Sequence, residues 1–305
     1  MKQISIFAFG FLLTVSFTSC NSNEKASSGN KSEDTASTTS QSAKADNYGN
    51  FTYDLAKPAA KWVLPNELKE ISGNTWIDKD HLLVIEDLHS NLYLIHLEKD
   101  VATIQKTVPF EAGNDKKFDI EDVTSDGKTV YALWSHGVIY KITDWNTNLH
   151  TKEIATSLDK KNNTEGICVD PVTGNLLIAC KNESGIEDEK KSSRAIYLFD
   201  TKKEQLNTDP FMVIERKDIK KAIGEKLDFN PSGIAVHPVS HDIYVLSTKG
   251  TKGILVYSHD GEFKSFRSID EELMPQPEGI CFSPTGDLYI STEGKHGVPA
   301  LLYRF

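Results

Sequence analysis

No apolar run in this 305-residue chain is long enough to cross a bilayer comfortably; the longest one lies near the N-terminus. Cysteine is scarce, with four in all, so the chain does not carry the dense cysteine framework of a small stapled domain. Their spacing matches no zinc pattern. Basic charge is also in short supply. With 34 Lys and Arg against 44 Asp and Glu, the net charge of −10 argues against nucleic acid as a partner and against electrostatic docking on anionic lipid. The sequence has no G-x-S-x-G elbow, no H-E-x-x-H pair and no Gly-rich phosphate loop, so the familiar nucleophilic, zinc-protease and nucleotide chemistries find no foothold. Nine His are scattered; His237 and His241 fall in a turn and read as surface residues.

The short apolar run follows Lys2 and ends at Phe17-Thr18-Ser19-Cys20. A single early Lys, a brief apolar stretch and small residues before a Cys resemble a bacterial lipoprotein signal, with Cys20 the lipidated residue. Phe17 departs from the usual aliphatic residue, and an ordinary signal peptide with an incidental Cys is the alternative. Residues 21–50 are rich in Ser, Asn, Lys, Thr and Ala. They cannot bury enough apolar surface to offset their ordering entropy, which makes them a flexible tether. The expected organisation is a signal peptide over 1–20, a tether over 21–50 and a folded domain over 51–305. The expected location is the cell envelope, lipid-anchored, with the periplasmic face of the outer membrane favoured over the cell surface.

Within the domain one block recurs five times. Its copies are Ile71-Ser72-Gly73, Ile120-Glu121-Asp122, Thr164-Glu165-Gly166, Pro231-Ser232-Gly233 and Pro277-Glu278-Gly279. The third positions of these triplets are spaced by 49, 44, 67 and 46 residues, which are propeller-blade periods. Each block is followed by a turn rich in Pro, Gly, Asp or Asn and then by runs of Val, Ile, Leu and Tyr. Four antiparallel strands per unit, repeated five times, predict an all-β, five-bladed β-propeller, which hides its sheet edges by radial repetition. The last unit stops after its third strand, and the strand-like segment 59–65 is free to complete it. Six blades, with a degenerate copy hidden in the 67-residue interval, is the competing architecture. Cys168 and Cys180 flank one predicted hairpin and could pair; buried free thiols are the favoured reading.

Asp119-Ile120-Glu121-Asp122, Thr164-Glu165-Gly166-Ile167, Asn230-Pro231-Ser232-Gly233, Gln276-Pro277-Glu278-Gly279-Ile280 and the terminal Leu302-Tyr303-Arg304-Phe305 together resemble the SdiA-regulated domain family. That family is similar to proteins with NHL repeats. The resemblance covers residues 53–305. It implies a five-bladed propeller that binds calcium, and it brings no established reaction.

The first slot of the repeat holds Ser72, Glu121, Glu165, Ser232 and Glu278. If it opens each innermost strand, three Glu and two Ser meet at one channel mouth. Three carboxylates there raise each other's pKa, and a bound hard cation removes that cost. An all-oxygen set favours Ca²⁺, with Mg²⁺ second. The alternative is that each Glu latches onto backbone N–H groups of a neighbouring blade. Asp122, where other repeats carry Gly, is read as an added ligand or a turn cap.

A second slot holds Asp87, Ser135, Lys181, Thr248 and Glu293, with Glu86 beside it. Solvated loop ends are one reading. The other is a polar pocket over the cation, formed by Ser72, Ser232, Glu86, Asp87, Lys181 and Glu293, with Lys181 contacting an anionic ligand. The resulting expectation is a module that binds a small molecule, a glycan or a protein, as a monomer, and touches the membrane only through its lipid. The alternative is a metal-dependent hydrolase of the lactonase or esterase type, with Glu86, Asp87 or Glu293 as base.

Overall fold

The computed structural model describes residues 47–113, 119–186, 193–295 and 297–305. Its strands form five antiparallel sheets, the blades of a five-bladed β-propeller. The innermost strands are Ile71–Asp78, Ile120–Ser125, Thr164–Val169, Phe229–Val236 and Pro277–Phe282. The six-blade alternative is overturned by what fills the long interval. There the strands Gln205–Leu206 and Met212–Ile214 both pair with the third strand of their own blade, Arg194–Asp200. The helix Arg216–Ile223 then leads to the fourth blade and ends on Gly224, whose φ of 82° is the left-handed cap that glycine favours.

The ring closes as the repeat count demands. Ala60–Val63 pairs antiparallel with Leu301–Arg304, placing Ala60 opposite Arg304 and Val63 opposite Leu301. The last blade is therefore completed by a strand that precedes the first one in sequence. Inside the segment expected to be tether, Asn47–Tyr48 adds a fifth strand to the fourth blade, against Phe266 and Arg267. Cys20 and the leader lie outside the described residues.

Each gap between adjacent blades holds its own apolar core. In the second strand of blade one, Leu82 and Val84 face the last blade while Leu83 and Ile85 face the second. Both faces of every sheet are thus buried, which is why these strands read as unbroken apolar runs. All three described cysteines are free and buried. Burial pushes the Cys180 thiol up to about 12, so it packs as an apolar group.

Near the axis the inner strands almost touch. A Cβ on Gly73 would lie 2.7 Å from the Asp122 Cα and 2.8 Å from the Val123 nitrogen. Backbone cannot yield as a side chain can, so Gly73→Ala is expected to cost about 1–3 kcal/mol, read as a lower urea midpoint at unchanged slope.

Candidate functional site

The five first-slot residues share a structural device that alternation alone does not reveal. In every blade the register between the first and second strands slips at this slot, leaving Ser72, Glu121, Glu165, Ser232 and Glu278 unpaired in a bulge. A bulge re-aims the extra side chain, and five of them in register turn these residues toward one end of the channel. The two serines become latches between blades. Ser72 Oγ donates to the Ile120 carbonyl at 2.7 Å and Ser232 Oγ to the Pro277 carbonyl at 3.2 Å.

The three glutamates do converge. Burial raises the Glu121 carboxyl well above the ordinary range, and the charges of Glu165, Asp119 and Glu278 add to the rise while Lys181 opposes it. Glu278 is likewise raised, by burial first and by Glu165 and Glu293, against the pull of Lys181. Glu165 is raised by burial and drawn back by Lys181 and by a 2.5 Å hydrogen bond from Asn163 Nδ2. Lys181 is the hub: its ammonium bonds Glu165 Oε2. Burial acts to lower its pKa, but the charges of Glu165, Glu278 and Glu121 outweigh that and hold it above its usual value. Lys181 therefore faces carboxylates within its own chain, and an anion has no place beside it.

A hard cation at this mouth would have to compete with the Lys181 ammonium. Among the described residues no three His, Cys, Asp or Glu are placed to hold a metal ion, and the ammonium takes one of the Glu165 oxygens. Asp122 is neither ligand nor turn cap. Buried, it accepts from the Val123 nitrogen and, across the blade gap, from the Ile167 nitrogen, both at 2.8 Å.

The second slot separates into parts. Ser135 Oγ donates to Asp119 Oδ2 at 2.6 Å. Burial, with Glu70, Glu86 and Asp119 nearby, lifts Asp87 to about 6. Burial and then Glu70, with Asp87 also contributing, lift Glu293 to about 7. Glu86 is not part of this group's open surface. It is 1% exposed, and its oxygens are committed to the Leu88 nitrogen, His89 and Tyr93. His237 does serve a turn, its Nδ1 accepting from Val239 and Ser240.

Glu70 and Asp119 are site residues that the two slots do not include. They belong to a third ring, two positions before each bulge, formed by Glu70, Asp119, Asn163, Asn230 and Gln276. A polar side chain at that offset in all five repeats was the available signal. Gln276 bonds Glu293 and receives Lys295, so this ring orients the acids of the other two.

Raised carboxylates fix the sign of the pH response. The folded state keeps protons that the unfolded chain releases near pH 4, so stability falls as pH rises from about 4 through 7. Asp78 and Asp200 are lowered instead, and their contribution is lost only below about pH 4. Asp87 and Glu293 together are expected to account for about 1–2 kcal/mol of that decline after solvent screening. Urea unfolding at pH 5 and pH 7.5 measures it, and Glu293→Gln should flatten the difference.

Among the described residues no helix is long and apolar enough to cross a membrane. A family model described as SdiA-regulated matches residues 61–305. No curated protein matches the chain. Among solved structures it is similar to a Myxococcus xanthus glutaminyl cyclase at 13% identity and a TM-score of 0.54, covering 82% of this chain and 95% of that one. It is also similar to a Xanthomonas campestris gluconolactonase (14% identity, TM-score 0.47, 85% and 84% covered). A third is a Staphylococcus aureus virginiamycin B lyase (16% identity, TM-score 0.44, 80% and 72% covered). At these identities the likeness concerns the fold alone.

Proposed function

The chain belongs to the SdiA-regulated family, and from that premise we propose that it is a binding module of the cell envelope whose channel mouth receives a positively charged group. The observation that carries this reading is the imbalance at the mouth. Glu121, Glu165, Glu278, Asp119, Asp87, Glu293 and Glu70 influence one another there, and among the described residues the half-buried Lys181 opposes Glu121, Glu165 and Glu278 while Lys295 opposes Glu293. A partner's ammonium or guanidinium, or a calcium ion competing for the place of the Lys181 ammonium, would relieve the remaining repulsion. Anchoring through Cys20, on the periplasmic face of the outer membrane, belongs to the same proposal; palmitate incorporation that persists in Cys20→Ser would remove it.

Calorimetric titration with calcium chloride, and separately with spermidine, tests the mouth. One saturable event is expected, weaker in Glu278→Gln and tighter in Lys181→Met. Absence of saturable binding by both probes in both wild type and Lys181→Met would end the proposal.

A hydrolase reading has one specific support. Asp87 and Glu293, lifted to about 6 and about 7, lie where a general base works best near neutral pH. Glu86, the third candidate base, has its oxygens already committed. Turnover of any member of a lactone and ester panel, lost in Glu293→Gln, would favour this reading over the binding module.

A further inference from the structure

A second opening lies at the other end of the channel, away from the carboxylates. It is a cavity of about 280 Å³ between the turns at 171, 238 and 284. Two positions past each bulge, four blades line it with Val123, Ile167, Ile234 and Ile280, and the first blade places Asn74 there instead. Asn74 is 1% exposed, and neither its Oδ1 nor its Nδ2 has a hydrogen-bond partner among the described residues. The other four blades carry an aliphatic side chain at this position. A buried amide left unpaired is destabilising, and such a group in a native fold calls for a partner that binds it. The amide lies against the inner edge of the last blade, where a Cβ on Gly279 would come within 2.8 Å of Nδ2. Gly279 thus leaves the room that the amide occupies beside the channel.

We propose that this apolar end of the channel binds a small, mostly hydrocarbon molecule carrying one carbonyl or hydroxyl group, which pairs with the Asn74 amide. The chemistry follows from the walls. Aliphatic side chains from four blades reward apolar surface, the hydroxyl residues Thr75, Thr124, Ser125 and Ser283 also line the cavity, and the buried amide, which can both donate and accept, selects one polar group and fixes its orientation. The volume limits the occupant to a small molecule or to the tip of a larger one. This site is independent of the carboxylate mouth, so either can fail without the other.

The test uses two probes of similar bulk, cyclohexanone with one acceptor and toluene with none. Methyl resonances of Ile167, Ile234 and Ile280 are followed during titration of the wild type. Cyclohexanone should shift them saturably and bind about tenfold more tightly than toluene, the discrimination that one otherwise unpaired amide supplies. Asn74→Val should remove that preference while raising the melting temperature, because it restores the pattern of the other blades. No saturable shift with either probe would overturn the proposal, as would a cyclohexanone preference that survives in Asn74→Val.

Discussion

Lys181→Met is expected to lower the unfolding free energy at pH 7.5 by about 3–5 kcal/mol, the usual cost of stranding buried charge by removing its partner. The Lys181 side chain is 17% exposed and that of Glu165 is 6% exposed, so water does little to replace the lost ammonium. Glu121 and Glu278 lose the same counter-charge, since Lys181 opposes the rise in both. The loss should be smaller at pH 5. Carboxyls whose pKa is raised take up protons more readily as the pH falls, so less negative charge is left uncompensated there. Lys181→Arg keeps the charge and should retain much of the stability. An equal loss at both pH values would mean that the methylene stem, and not the ammonium, supplies the stabilisation. Urea unfolding at the two pH values distinguishes these outcomes.

Ending the chain at Ala300 is expected to abolish cooperative folding. The missing residues include Leu302 and Tyr303, 0% and 1% exposed, and they provide the strand that Ala60–Val63 and Leu288–Thr292 both pair with. Leu302 belongs to the core between the last and first blades, Tyr303 to the core between the fourth and last. Losing both opens two of five cores. Each such side chain is worth about 2–5 kcal/mol, set against a total stability of about 5–15 kcal/mol for a domain. Circular dichroism should show no sigmoidal urea transition. A cooperative transition in the truncated chain would contradict the idea that ring closure through Ala60–Val63 and Leu301–Arg304 holds the propeller together. Leu302→Ala, which keeps the strand, should fold and cost only the single side chain.

The blades were readable because their period is long, their turns carry Pro, Gly, Asp and Asn, and the strands are apolar on both faces. Closure was readable from arithmetic: a unit short of one strand at Phe305 and a spare strand near Trp62. The first slot was readable as well, since homologous positions in a ring must meet. Its bulges were not. A bulge is a property of pairing register, and nothing in Thr164-Glu165-Gly166 distinguishes an extra residue from a paired one. The chemistry around the slot was legible only in part. Sequence places Lys181 on the mouth but cannot say that its charge is spent on Glu165. It places Glu86 beside Asp87, yet strand geometry directs the two apart, one toward His89 of the turn and Tyr93 of the next strand and the other toward Glu70 and Asp119. Asp122 looked like a Gly replaced by a ligand, because its partner, the Ile167 nitrogen, is 45 residues away.

The measurement closest to the central claim is a carbon-13 titration of the side-chain carboxyls in glutamate-labelled protein, with Glu121, Glu165 and Glu278 assigned through Gln variants and followed with and without calcium. The account predicts that all three titrate above the ordinary glutamate range, that they move upward in Lys181→Met, and that calcium draws them down. Three carboxyls titrating at the ordinary value, indifferent to both Lys181 and calcium, would contradict it.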